Sequence, residues 1–537
     1  MVHSPRVSSR SLQYALATTS GILFAFSFPR YGHPAIAWIA LTPLLVALQD
    51  TTPRRAFALG LLAGAVYFTG TLYWITRVMV RYGDLQTWVA MLVNGALIAY
   101  LAFFPALFAF VVRRITIAYG PQALAAAPIV WVATELGRNY PFGGFPWVLL
   151  GYSQVTVLPI AQVASVFGVY GVSMLVASVS TALAMSVPLN AKHAETAKSH
   201  TSLRVLRPFR SWWATQFLNP PPYVWVGVMV LAVAIWGARR AASADLTRAG
   251  EPIRIGLIQG NVTLEERMDR TKLLAIFQSY LAMTRQAIGE GAKFVIWPEA
   301  ATPFRFEEDV FSAARIRAIA RQASIPVLLG SDQVERNSTG QAVKYYNSAF
   351  LVRPDGTTGG AYRKMHLVPF GEYVPAKRIL FFAAPLVENV SDFSAGDTAT
   401  ILPVGSHKVS TAICYEVVYP ELVRQFVVAG SEMLTTITND AWFGDTSAPY
   451  QHFEQASMRA IEEGRYLVRS ANTGVSGAVD PYGRVLAQTP IFQRAVLLVE
   501  ARFLTASTFY ARHGDVLAYA SAVLSIAFLA MTRTRVQ

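Results

Sequence analysis

Cys414 is the only cysteine in the chain. It ends the β-rich run of HKVSTAICYEVVYP, just before a helical run that begins near Pro420. A thiol at such a strand-to-helix turn meets free backbone N–H groups and the positive end of a helix. Both lower its pKa below the ordinary value of about 8.5 and favour a nucleophilic thiolate, whereas a cysteine that only fills space is inert. Glu299 closes the apolar run FVIWPEA, at the strand end where α/β folds keep their ligands. It is either the neighbour of a helix cap or a general base. Burial beside Trp297 would raise its pKa and suit it to take a proton from a thiol. Lys364, in YRKMHLVPFGEYVP, enters a loop too aromatic and proline-rich to be a plain solvent linker. Most lysines are solvated, but one packed among rings can stabilise a developing oxyanion.

These residues need a rigid frame, and the pattern from residue 251 onward supplies one. Strand-like runs (IRIGLIQGNV, FVIWPEA, IPVLLGSD) alternate with helical ones near 268–289 and 309–323, which is an α/β arrangement. KYYNSAFLVRPDGTTGGAYRK and VSGAVDPYGRVLAQT each hold two β-rich runs around a turn, so antiparallel hairpins join a mixed sheet. No internal repeat is visible. Residues 251–505 suffice for one domain with a sizeable core.

The rest of the chain is not soluble in character. Of 537 residues, 53% are hydrophobic and only 15% charged, and the mean hydropathy is +0.36. The apolar residues gather before about residue 240 and in the last 25 or so, which points to lipid. Seven apolar stretches, at about 12–28, 34–48, 56–76, 87–112, 121–137, 158–187 and 222–238, precede the α/β region, and an eighth near 515–532 follows it. The second and fifth are short enough to be re-entrant. The first follows Arg6 and Arg10 without a small-residue cleavage site and reads as a retained anchor. The net charge of +14 comes with no basic helix or basic-aromatic stripe, so nucleic acid is not expected as a partner. Instead the cations mark topology. With a cytoplasmic N-terminus, the cytoplasmic loops hold Arg6, Arg10, Arg54, Arg55, Arg113, Arg114, Lys192, Lys198, Arg204, Arg207, Arg210, Arg533 and Arg535, against Arg30, Arg77, Arg81 and Arg138 opposite. The positive-inside rule then puts 251–505 outside the cytoplasm and the loop at 188–221 within it. Glu135 and the following GRNYPFGGFPWVLLGYSQ form either an interfacial loop or a lid against the soluble domain, because such backbone cannot face lipid. Trp74, Trp131 and Trp147 read as interfacial anchors. One cysteine excludes a disulfide framework and a multi-cysteine zinc site, and no metal or cofactor is called for.

WPE, then YRKxHLVPFGE, then ICYE, then NDAWFG form an ordered set that resembles the nitrilase superfamily, whose members use a Glu-Lys-Cys triad on an αββα sandwich. Joined to the apolar spans, and with GFPWVLLGYSQ and PFGEYVP in place, the chain resembles the membrane-embedded branch of that superfamily, the apolipoprotein N-acyltransferases. The resemblance implies a membrane domain of about eight helices plus a nitrilase-type αββα domain, divided as 1–240, 251–505 and 513–537. It implies Glu299 as base, Lys364 as oxyanion stabiliser and Cys414 as nucleophile, with Glu372, Tyr415, Glu416, Asn439 and Trp442 in support. It further implies a phospholipid acyl donor, a diacylglyceryl-modified apolipoprotein as acceptor, and a place in the bacterial inner membrane with the catalytic domain on the periplasmic side. An amidase tethered to the membrane is the alternative, and a transporter or lipid receptor with a dead domain a remoter one, since charges inside the spans are nearly lacking.

Overall fold

The computed structural model describes residues 9–83, 85–187, 221–369, 371–373 and 393–535. The cations of the 188–220 loop, Arg6, and most of the 376–398 loop lie outside them. Each expected apolar stretch is helical. Among the described residues, four helices are long and apolar enough to cross a membrane: Pro53–Leu72, Thr87–Tyr119, Ala164–Ser186 and Pro222–Arg248. The others are shorter or broken. The second stretch breaks at Leu41 into Pro34–Ala40 and Thr42–Leu48, and the fifth begins as a 3-10 turn, Pro121–Ala126, before Ala127–Gly137. Large apolar side chains left exposed, such as Trp225, Val228, Leu231, Val523 and Ile526, gather on the Pro222–Ser243 and Val516–Arg535 helices, as lipid-facing surfaces require. Trp74, Trp131 and Trp147 are instead at most 6% exposed, which overturns their reading as interfacial anchors. Phe24 stacks on Trp131, and Trp74 and Trp147 pack on one another, so tertiary packing has claimed these rings.

The second half holds two six-stranded sheets. The first orders β12 (Ala495–Arg502), β1 (Pro252–Gln259), β2 (Phe294–Ile296), β3 (Val327–Arg336), β4 (Ala342–Val352) and β5 (Thr358–Arg363). The second orders β11 (Val485–Gln488), β10 (Gly477–Val479), β9 (Leu467–Ala471), β8 (Met433–Thr438), β7 (His407–Ile413) and β6 (Leu402–Val404). Both expected hairpins, β4–β5 and β10–β11, are present. Each sheet has three parallel strands, one antiparallel strand on one flank and an antiparallel hairpin on the other. The architecture is thus repeated although the sequence shows no repeat, because β-pattern rather than residue identity defines a strand.

Between the sheets, Ile255, Leu257, Phe294 and Ile296 of the first meet a core that includes Val409, Ile413, Leu434 and Ile437 of the second. Each such side chain contributes about 1.5–3 kcal/mol on burial. The Leu273–Gly289 and Val310–Ala323 helices cover the outer face of the first sheet through a separate cluster around Trp297, Tyr280 and Ile316. The Pro420–Val428 and Ala448–Glu463 helices belong to the second sheet. The latter is buried at all but Tyr450 and Glu454, because the membrane-side helices close over it. The Val169 N–H donates to Glu462 at 2.8 Å and Arg459 donates to the Tyr152 hydroxyl at 2.8 Å.

Candidate active site

β7 ends at Ile413, and Cys414 opens a 3-10 turn, Cys414–Val418, that leads to the helix at Pro420. The turn is so tight that Cys414 takes φ +54°, a left-handed conformation that costs a side-chain-bearing residue about 1–3 kcal/mol. A buried network holds it there. His452 approaches the Cys414 carbonyl with Nε2 at 3.1 Å. Arg469 Nη2 lies 3.0 Å from His452 Nδ1 and 2.9 Å from Asp440. Nδ1 also lies 3.1 Å from Asp440 Oδ1; because the Cys414 carbonyl can only accept, Nε2 carries a proton and donates to it. Burial and Arg469 lower the His452 pKa, consistent with a neutral ring. Burial alone would raise Asp440, but Arg469 and His452 outweigh it and hold the carboxyl at about 2.

Glu299 and Lys364 come from the other sheet. Gly330 of β3 lets the Glu299 segment cross closely, since a Cβ there would sit 2.6 Å from the Pro298 carbonyl and the Ala300 nitrogen. Glu299 accepts from the Asn347 amide and from the Asn439 backbone N–H, both at 2.7 Å. Lys364 follows β5 and is 1% exposed, with Nζ 2.9 Å from Glu372 and 3.7 Å from Glu299. Glu372 also takes the Asn347 amide at 3.0 Å and the Val368 N–H at 2.8 Å. Burial would lower the lysine pKa, but the two carboxylates outweigh it and keep the ammonium charged. For Glu299, burial raises the pKa; Lys364 opposes and Glu372 adds to the rise. Glu299 lies 3.7 Å from Lys364, and Glu416 ties the backbone just after Lys364 to that of Ile413 just before Cys414, so the three residues that the sequence singled out lie in one region.

The thiol itself is not as expected. Burial, followed by the Glu299 charge, pushes its pKa up rather than down, with only Lys364 and Thr438 among the main influences opposing. Desolvation of the charged form exceeds what a short 3-10 turn offers a thiolate. This environment favours the neutral thiol, and to attack a carbon such a sulfur would have to pass its proton to a base. The apolar wall proposed for Glu299 differs too: Trp297 packs away onto Tyr280 and donates to Thr284.

The supporting residues take several roles. Glu416 accepts four hydrogen bonds of 2.7–3.0 Å, from Tyr362, Met365, His366 and Ile413, tying the lysine loop to the cysteine turn. Tyr415 is buried and stacks with Trp147, rings 6.1 Å apart at 22°. Asn439 acts through its backbone N–H, while its side chain is held by Asn472 at 3.0 Å. Trp442 is half-buried and packs edge-on to Tyr82, at the rim toward the helices rather than in the carboxylate cluster. The GFPW segment does lie against this site: Trp147 donates to Gln451 at 2.8 Å, and Tyr419 donates to the Gly144 carbonyl at 2.9 Å. Asn347, His452 and Arg469 were not foreseen. Their one signal is a polar residue inside an otherwise apolar strand or a helix that turns out to be buried.

Comparison with known proteins agrees with this architecture. Residues 20–182 match the model of the apolipoprotein N-acyltransferase N-terminal domain, and residues 254–508 match that of carbon-nitrogen hydrolases. An amidase from Nesterenkonia sp. resembles 51% of the chain over 97% of its own, at 20% identity and a TM-score of 0.38. An apolipoprotein N-acyltransferase of Methylococcus capsulatus is 33% identical over 93% of this chain and 92% of its own. One of Geobacter metallireducens is 39% identical over 94% of this chain and 92% of its own. With that identity along nearly its whole length, on a helical region joined to a double-sheet hydrolase-type domain, the chain belongs to the apolipoprotein N-acyltransferase family.

Proposed function

We propose that this protein moves an acyl chain from a phospholipid, through a thioester on Cys414, to the α-amine of the diacylglyceryl-modified N-terminal cysteine of an apolipoprotein. The observation that carries the reading is the buried Lys364 ammonium between the Glu299 and Glu372 carboxylates, beside a strained cysteine. Glu299, its pKa raised, takes the thiol proton as sulfur attacks the ester carbonyl. Lys364 faces the oxyanion of the tetrahedral adduct, and Glu372 fixes Lys364 in place. On collapse the lysophospholipid oxygen leaves with the proton from Glu299. The acceptor amine then attacks the thioester, gives its surplus proton to Glu299, and leaves as an amide while the thiolate is released and reprotonated. Rings of Tyr415, Trp147 and Phe145 wall the site, which keeps water from hydrolysing the thioester.

The membrane segments deliver both lipids, and the division into 1–240, 251–505 and 513–537 goes with this reading. The excess of cations in one set of loops supports a catalytic domain on the periplasmic side of the bacterial inner membrane. Intact-mass analysis of the purified protein with phospholipid tests the assignment: one acyl adduct on Cys414 is expected, and Cys414→Ser should abolish it. Release of free fatty acid without such an adduct would favour the tethered hydrolase.

A further inference from the structure

Arg138 follows the Ala127–Gly137 helix and is only 3% exposed. Its Nε and Nη2 have no hydrogen-bond partner among the described residues. The guanidinium lies 5.2 Å from the centre of the Phe68 ring and lines a small cavity with Tyr67, Phe68, Phe104 and Trp131. A buried cation with two idle donors is costly unless something anionic joins it. Glu135, one turn earlier, lines the same cavity but is tied by one oxygen to the Leu150 N–H at 2.7 Å. Its other oxygen has no hydrogen-bond partner, and although its charge interacts with that of Arg138 the two close no contact ion pair within the described residues. The Arg138 segment is linked to the active site through Phe145. The Arg138 carbonyl accepts the Phe145 N–H at 3.0 Å, and the Phe145 ring packs 6.2 Å from that of Tyr415, next to Cys414. Gly144 permits that fold-back, with φ +79° and no room for a Cβ beside the Asn139 carbonyl.

We propose that Arg138 anchors the phosphate of the phospholipid donor, with the Nε–H and Nη2–H fork gripping two phosphate oxygens. This rests on the acyl-transfer reading and names where its donor is held. The fork geometry matches two oxygens of one phosphate. A lipid phosphate fits better than a free one, because the walls are apolar rings and the acyl chains can cover them, whereas a hydrated anion would have to shed its water. In a glycerophospholipid the phosphate and the ester carbonyl are joined through one glycerol, so anchoring the first positions the second at the thiol.

The test compares two acyl donors on full-length protein in detergent, read as the rate of the Cys414 adduct by intact mass. One is phosphatidylglycerol and the other p-nitrophenyl palmitate, which has no phosphate. Arg138→Gln should raise KM for the phospholipid about tenfold or more, from loss of a charged bidentate contact, leave the nitrophenyl ester within about twofold, and be partly rescued as Arg138→Lys. Excess inorganic phosphate should leave wild-type acylation by the lipid unchanged. Equal loss with both donors would show a structural role, unchanged kinetics with both would remove Arg138 from the donor site, and competition by inorganic phosphate would show a free-anion site; each overturns the proposal. If wild-type protein formed no adduct with either donor, the acyl-transfer reading itself would fail.

Discussion

Glu299→Gln isolates the proton transfer on which the proposed chemistry depends. Each carboxylate oxygen of Glu299 accepts one N–H at 2.7 Å, from Asn347 on one side and Asn439 on the other. Glutamine keeps one acceptor and turns the other oxygen into a donor, so one of these N–H groups must face an NH2. That mismatch costs about 1–3 kcal/mol of stability, while Lys364 retains Glu372 at 2.9 Å as counter-ion. Loss of the base should slow thioester formation by about 10²–10⁴-fold, or about 3–5 kcal/mol of barrier. The wild-type rate carries the matching pH dependence. Burial raises the Glu299 pKa, and a protonated carboxyl cannot accept the thiol proton, so the rate falls as pH drops through that raised pKa and levels off above it. The variant has no such limb. Quenched-flow sampling with intact-mass detection across pH, beside thermal unfolding of both proteins, supplies the numbers. Acylation within about tenfold of wild type, with the same acid limb retained, would refute the assignment of Glu299 as base.

Lys364→Met leaves two carboxylates buried around one Asn347 amide. It should cost about 3–5 kcal/mol in unfolding free energy and about 10²–10³-fold in adduct formation, measured by the same two assays. His452→Ala removes the donor that holds the strained Cys414 carbonyl; thermal unfolding should show a loss of about 1–3 kcal/mol, and the adduct rate should fall, although His452 is a positioning residue. For topology, a cysteine reporter near residue 340 should react with an impermeant reagent once the outer barrier is opened, while one near residue 200 stays shielded; the reverse pattern inverts the membrane orientation.

The position of the candidate residues was legible where residue type and element end coincide. Glu299 after an apolar strand, Lys364 after a hairpin and Cys414 at a strand-to-helix turn are all visible in one dimension. What joins them is not. Asn347 bridges Glu299 and Glu372 only because β4 pairs with β5, so that the Lys364 N–H donates to the Asn347 carbonyl at 2.9 Å; this register has no sequence mark. The thiol pKa was misjudged because a helix end can be read from Pro420, whereas the depth of burial comes from the helices that close over Ala448–Glu463. The tryptophans were misplaced for the same reason, since a ring at a span end can face either lipid or a neighbouring domain. The twofold use of one strand arrangement escaped notice because the two sheets share strand order and pairing, which only the fold displays.

The central claim is a covalent acyl group on Cys414 that waits for an amine. The most direct measurement is intact mass of the full-length protein after phospholipid is added and then removed, followed in time with and without a diacylglyceryl-modified N-terminal peptide. The account predicts one acyl mass on Cys414 that persists alone and discharges onto the peptide as an amide, because a water-poor site slows hydrolysis while a bound amine gains effective molarity. An adduct that decays equally fast in both samples, with free fatty acid as the product, would contradict it.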